Sequence, residues 1–243
     1  VGVGQRLLEA DKLWYLSQIN LFADMTEAEM HELARVTTMR EYPKGSVISQ
    51  PAERASAVYM VKRGRVKISM YSAEGKEQIL ALLDPGDIFG EAVLAGAAQR
   101  EYLEAFEDTL VCVVPAAVFL GLLQRRPDMA LRVIRALADR LRDSQQEIHN
   151  LAFRDVPSRL ACTLIRLAEA YGEQGASGQV LTLRITHQDL AAMIGATRET
   201  VTTILNRLKD EGLIAIEDRR IVLLDPDALQ SVATAPASRS ARI

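Results

Sequence analysis

Two cysteines and three histidines are all that this 243-residue chain offers to metal or disulfide chemistry. Cys112 and Cys162 stand far apart in apolar surroundings and form no C-x-x-C pair, so they read as buried thiols and not as a disulfide framework. His31, His149 and His187 are scattered, so no metal site is expected. No apolar run reaches the roughly 18–20 residues that span a bilayer. The opening VGVGQRLLEADK lacks the basic region and apolar core of a signal peptide. A cytoplasmic protein with no membrane partner is the expectation. An excess of one charge is missing too: the formal net charge is −3 and no region is strongly basic. Composition therefore lends nothing to nucleic-acid binding, and that case has to come from motifs. No nucleophile–base–orienter set is visible, which argues against an enzyme.

What is present changes character along the chain. Residues 21–35 read as a helix: Thr26 and Glu29 form a T-x-x-E capping box, followed by an apolar stripe at Met30, Leu33 and Ala34. From Ser46 to Pro115 the runs AVYMVKRG, RVKISMYS, QILALL and TLVCVV are rich in β-branched residues. KRG at 62–64, AEGK at 73–76 and DPGD at 84–87 punctuate them as turns, a spacing that argues for a small antiparallel barrel or sandwich. Residues 116–153 turn helical with a break near Arg126-Pro127. In the second piece, Ala130, Ile134, Leu137, Leu141, Ser144, Ile148 and Leu151 step by +4 and +3. This heptad seam predicts two helices packed in parallel, one from each subunit, although a narrow stripe also suits packing on the helix's own domain. Ser144 stands on that seam. It either sets the register or reads a ligand held against the interface, with Gln145 beside it.

RDVPSRLACTLIRLAEAYG continues as an amphipathic helix entered through Pro157, GEQGASGQ reads as a loop and VLTLRI as a short strand. The densest information lies in ITHQDLAAMIGATRETVTTILNRLKDEGLI at 185–214. Thr186 caps a first helix, Gly195 ends it in the left-handed conformation, and Thr197 caps a second helix that buries Val201, Ile204, Leu205 and Leu208. Such a pair is a helix-turn-helix, and GLIAIEDRRIVLLD adds two strands as a wing. The first turn of the second helix holds Arg198 and Glu199. An Arg there can donate two hydrogen bonds to guanine, and a Glu can accept from cytosine. Thr197, Thr200, Gln188 and His187 are placed for phosphates, as are Arg219 and Arg220 on the wing.

Taken together, the β-roll runs GSVISQ, VYMVKRGRVKI, EGKEQIL and LDPGDIFGE, the linking NLAFRDVPSRLA and the helix ATRETVTTIL resemble the cyclic AMP receptor protein and FNR family of bacterial transcription regulators, over about residues 18–225. The resemblance implies an α+β fold: an N-terminal antiparallel β-roll, a long dimerisation helix and a C-terminal winged helix-turn-helix. It implies an extension at 1–20, a β-roll at 21–127, a dimer helix and hinge at 128–154, a DNA-binding domain at 155–225 and a disordered tail at 226–243. The partners it implies are double-stranded DNA, a second copy of the chain through residues 128–153, and RNA polymerase, met by the loop around Gly172–Gln179. Bound to DNA, the protein would associate with the nucleoid. Arg198 and Glu199 match the family's base-reading pair, which implies near-palindromic TGTGA-like sites and activation. Thr203 departs from the pattern, standing where a further base-reading Arg is found. With only two cysteines the iron–sulfur form is unsupported, and so is haem.

For the effector, Gly90 and Glu91 match the pair that accepts from a ribose hydroxyl. Arg100 matches the arginine of the cyclic phosphate site, Arg140 a pocket-lining helix arginine, and Ser144 the hydroxyl that reads adenine. Glu101 breaks the match by placing a carboxylate where a hydroxyl residue belongs. Three readings stand: a regulator controlled by cyclic AMP; the same DNA-binding dimer acting without an effector or with another ligand, because Glu101 disturbs the phosphate site; and a cyclic-nucleotide-binding module or enzyme without DNA function.

Overall fold

The runs AVYMVKRG and TLVCVV are buried on both faces, and that is why they read as continuous and not as alternating. In the computed structural model, which describes residues 12–17, 19–53 and 55–235, the strands are β1 (Thr38–Tyr42), β2 (Val47–Ser49), β3 (Ala57–Arg63), β4 (Val66–Tyr71), β5 (Glu77–Leu83), β6 (Ile88–Phe89), β7 (Tyr102–Ala105) and β8 (Thr109–Pro115). They form two four-stranded sheets, ordered β1-β8-β3-β6 and β2-β7-β4-β5. Along β3 and β8, Val61, Val111 and Val113 face the interior of the roll with Val66, Phe89 and Leu103. The alternate residues Val58, Met60, Cys112 and Val114 face helices. The period of two sends successive side chains to opposite sides, and both sides are covered.

The helices on that second side are α1 (Glu27–Val36), α2 (Ala92–Ala95), α3 (Ala116–Arg125) and α4 (Pro127–Phe153). The capping box of α1 forms as expected, with Thr26 and Glu29 each satisfying the other's backbone N–H. Arg126 separates α3 from α4 with an extended backbone, as a residue before proline must. Its guanidinium binds Glu29 and Asp128, tying the start of α1 to the start of α4. The expected N-terminal extension falls partly outside the described residues. Within them, Tyr15, Leu16 and Ile19 belong to the core with Phe22, Leu33 and Phe119, so that part of it is integral to the roll.

The chain divides into two units, Val1–Met70 with Ile79–Leu141, and Tyr71–Gln78 with Arg142–Ile243. In the second, Asp155 caps α5 (Val156–Tyr171), and β9 (Gly172–Gln174) pairs with β10 (Gln179–Leu181). GEQGASGQ is thus a hairpin and not a plain loop. It turns through Gly175–Gly178, and the predicted strand VLTLRI is cut short at Leu181. Next come α6 (His187–Ile194), α7 (Arg198–Asp210), β11 (Ile214–Glu217) and β12 (Arg220–Leu223). The sheet order is β11-β12-β10-β9, so the wing strands extend the hairpin.

The tail expectation needs correcting. Residues Pro226–Thr234 form α8, capped by Asp225, which accepts from the Ala228 N–H at 2.9 Å. Leu229 and Ala233 are buried. Ser158 on α5 donates to the Val232 carbonyl at 3.0 Å, and Arg154 binds that of Ala233. The small, polar composition hid a short helix whose two buried side chains lie four residues apart on one face; only residues 236–243 of the expected tail fall outside the description. Of the two thiols, Cys112 is fully buried and burial pushes its pKa up to about 12. Cys162 is only partly buried, so the expectation held for one of the pair.

If α8 belongs to the second unit's core, Leu229→Ala should lower its stability by about 2–4 kcal/mol, the range for a large-to-small change at a fully buried site. Chemical denaturation followed by helicity would check this; a change below about 0.5 kcal/mol, as at exposed sites, would return α8 to the status of a tail.

Candidate functional site

Two sets of side chains stand out, one on each unit. On the roll, β6 ends at Gly90, whose φ of +89° an L side chain rarely adopts. A Cβ there would lie 2.8 Å from the Ala57 carbonyl oxygen and 3.1 Å from the Tyr59 ring, which stacks on Phe89. The bare backbone lets the chain turn sharply into the single-turn α2, which Gly96 ends in the left-handed conformation. Glu91 stands at the entry to that turn without capping it; its Oε1 instead accepts from Arg140 Nη1 at 2.8 Å. Arg140 reaches down from α4, and its Nη2 also donates to the Ile88 carbonyl at 2.7 Å. Both partners are partly exposed, so the pair contributes on the order of 1 kcal/mol or less; its main effect is to orient Glu91. Asp87, three residues before Gly90, has its pKa raised by burial. A narrow apolar cleft runs beneath, lined by Val58, Phe89, Leu94, Phe119, Val133 and Leu137.

Arg100 and Glu101 do not pair with each other. The Glu101 carboxylate accepts from Gln99 Nε2 at 2.8 Å and from the Arg100 backbone N–H at 3.3 Å. Arg100 is exposed, and among the described residues its guanidinium enters no ion pair. Gln99, 8% exposed, is the partner that sequence reasoning missed. Its only signal was a polar residue two places from an unexpected carboxylate. Glu101 is thus held by neutral donors and not by the Arg100 guanidinium. Glu91, Arg100 and Arg140 thus lie on the first unit. Ser144 and Gln145 lie on α4 beyond Leu141, in the second unit, and are exposed.

On the second unit, α6 and α7 are capped as the sequence predicts. Thr186 and Asp189 complete a capping box, Gly195 takes φ +63°, and Thr197 accepts from the Thr200 N–H at 3.2 Å. Val201, Ile204, Leu205 and Leu208 are buried. The opposite side of α7 is open: Arg198 and Glu199 are exposed, and among the described residues neither side chain has a partner. The hydroxyls are less available than their types suggest. Thr203 Oγ1 donates to the Glu199 carbonyl at 3.0 Å, Thr200 bonds Thr197 at 2.9 Å, and His187 Nδ1 bonds Thr202 at 2.8 Å. Thr203 therefore presents its methyl group outward. Gln188, Arg219 and Arg220 are exposed. Asp218 and Arg219 both have positive φ, the two-residue turn that matches the twist of a hairpin and aims the wing tip.

Among the described residues no three His, Cys, Asp or Glu side chains gather into a metal site, and no helix is long and apolar enough to cross a membrane.

Comparison with known proteins covers both units. The model of the Crp-like helix-turn-helix domain matches residues 158–232, and that of the cyclic nucleotide-binding domain matches residues 39–126. The chain is 33% identical to the cAMP-activated global transcriptional regulator CRP of Pasteurella multocida, over 76% of its own length and 89% of that protein's. It is also 33% identical to the global nitrogen regulator of Synechococcus elongatus, over 79% and 87%. The solved structure of FixK2 from Bradyrhizobium japonicum superposes with a TM-score of 0.74 at 27% identity, covering 83% of this chain and all of that one.

The backbone at Gly90 yields a direct test. Gly90→Ala should cost about 2 kcal/mol or more, since it combines left-handed strain with a clash against fixed backbone. A variant with unchanged denaturation midpoint would show that the turn relaxes freely.

Proposed function

We propose, from the premise that this chain belongs to the CRP/FNR family of transcription regulators, that it acts as a homodimeric activator at near-palindromic TGTGA-like operators under the control of cyclic AMP. DNA binding and a cyclic nucleotide-binding domain come with the family; the operator, the effector, the dimer and the direction of regulation are the proposal. The observation that carries it is the unpartnered Arg198–Glu199 pair at the start of α7, held by two capped helices and a wing. Arg198 is assigned to guanine and Glu199 to cytosine. Thr203, offering a methyl and no second guanine contact, is assigned to a thymine methyl. Gln188, Thr197, Thr200, His187, Arg219 and Arg220 are assigned to phosphates.

Dimerisation is supported by α4. Its Met129 and Val133 are buried on the roll, while Ile134, Leu141 and Ile148 are 59%, 60% and 65% exposed at heptad spacing. A solvent-facing seam of that length suits a second copy, which would set two α7 helices one helical turn of DNA apart. For the effector, the residues fit a cyclic nucleotide: Arg100 is free for the cyclic phosphate, Glu91 is oriented for a ribose hydroxyl, and Ser144 with Gln145 is assigned to the adenine. When bound, the nucleotide would supply a charge and hydrogen-bond partners to this set. The observation favouring the second reading is that Arg140 already satisfies Glu91 without a ligand, while Glu101 opposes a phosphate by about 1 kcal/mol at 4 Å in water and more where partly buried. On that reading the dimer binds DNA without an effector or answers to another ligand.

Calorimetric titration with cyclic AMP, paired with operator anisotropy in its presence and absence, separates the two. Under cyclic AMP control, binding heat appears, operator affinity rises at least tenfold, and Arg100→Ala removes both effects. Tight operator binding in nucleotide-free protein with no heat on titration establishes the second reading. The β9–β10 hairpin is assigned to RNA polymerase. Substitutions at Ala176 and Ser177 should lower transcription in a purified system while operator affinity stays unchanged; equal transcription would remove that assignment.

A further inference from the structure

We propose that Asn206 is a further base-reading residue of α7, and that the base it reads is adenine. The inference rests on the DNA-binding reading above and adds a contact to it. With 100° per residue, the buried positions Val201, Ile204, Leu205 and Leu208 define one side of α7, and Glu199, Thr203 and Asn206, at i, i+4 and i+7, fall opposite. All three are exposed.

Hydrogen-bond accounting then separates them. The Thr203 hydroxyl is committed to the Glu199 carbonyl. Among the described residues the Asn206 amide has no partner. It presents both a donor and an acceptor. That combination matches adenine, whose major-groove edge offers the N7 acceptor and the N6 donor, and fits poorly with guanine, which offers two acceptors. A phosphate contact is the less suitable use, because the next residue on the same face, Asp210, is an exposed carboxylate that a phosphate would avoid. Asp210 also bounds the reading face, leaving Asn206 as its last neutral member.

The spacing makes the claim positional. Seven residues advance about 10.5 Å along a helix, and DNA rises about 3.4 Å per base pair. The adenine should therefore stand within about three base pairs of the pair that Glu199 reads, the limit set by a helix lying parallel to the DNA axis.

Selection from randomised half-sites, at one salt concentration, tests this with the wild-type dimer and the variants Glu199→Ala, Asn206→Ala and Asn206→Gln. The Glu199→Ala profile locates the reference pair. The expected wild-type profile shows an A·T preference at a separate position within about three pairs of it. Asn206→Ala should lose that preference alone, with affinity for the adenine-bearing operator falling about tenfold or more, the low-to-middle range for one bidentate contact. Asn206→Gln, whose amide can make the same pair of bonds, should keep it. An Asn206→Ala profile identical to wild type, with binding weakened uniformly or not at all, would mean a phosphate contact or none and overturns the proposal, while leaving the DNA-binding reading intact. A wild-type dimer that enriches no half-site would instead overturn that reading, and this proposal with it.

Discussion

Met129 and Val133 press one side of α4 onto the roll, and the rest of the molecule's logic follows from that contact. The helix starts where Pro127 forces it to, beside an Arg126 locked between Glu29 and Asp128. Its first two turns are anchored because Met129 and Val133 share a core with Phe22, Met60 and Phe119. The same anchoring aims Arg140 at Glu91 and leaves Ile134 and Leu141 exposed. One helix therefore serves two apolar surfaces. The single stripe read from the sequence was two overlapping ones, with Leu137 packed on the chain's own core and its heptad neighbours outside it.

DNA recognition here does not lean on bulk charge. The chain is net negative, so specificity has to come from a few cations and hydrogen-bonding groups in fixed positions. Capping does much of that work. Thr186, Thr197 and Gly195 stop and start the two helices, and Arg198 and Glu199 are left at an exposed N-terminus, where the backbone N–H groups also favour an anion. The exposed Arg219 and Arg220 add cations at the wing tip, whose backbone takes a left-handed turn without the help of glycine. The same fold spends its remaining hydroxyls internally, which narrows the list of groups able to meet a base.

Much of this was legible beforehand because it is local. Capping boxes, turn glycines and the i, i+3, i+4 burial of Val201, Ile204, Leu205 and Leu208 depend on residues within a few positions of one another, and sequence separation is then a fair guide to distance. The roll was legible as a class because its strands are short and its turns are marked. The losses were non-local or subtle. Helix α8 reads as tail in the sequence because two buried side chains among small polar residues make a weak pattern, and only their packing against α5 reveals them. The GEQGASGQ hairpin was missed because strands of three residues carry almost no periodicity.

The pocket divides in the same way. By itself, the sequence determined which residue types the site would hold: a glycine at Gly90, acids at Glu91 and Glu101, and arginines at Arg100 and Arg140, because those are covalent facts at matched spacing. It could not decide their pairings. Glu101 lies next to Arg100 in the chain, yet its carboxylate turns to Gln99. Glu91 and Arg140, 49 residues apart, meet at 2.8 Å. Adjacency in the chain does not decide which way two side chains turn, and the Glu101 carboxylate takes the Gln99 amide and the Arg100 backbone N–H in place of the guanidinium. Only the folded roll, with α4 laid against it, brings the distant pair together.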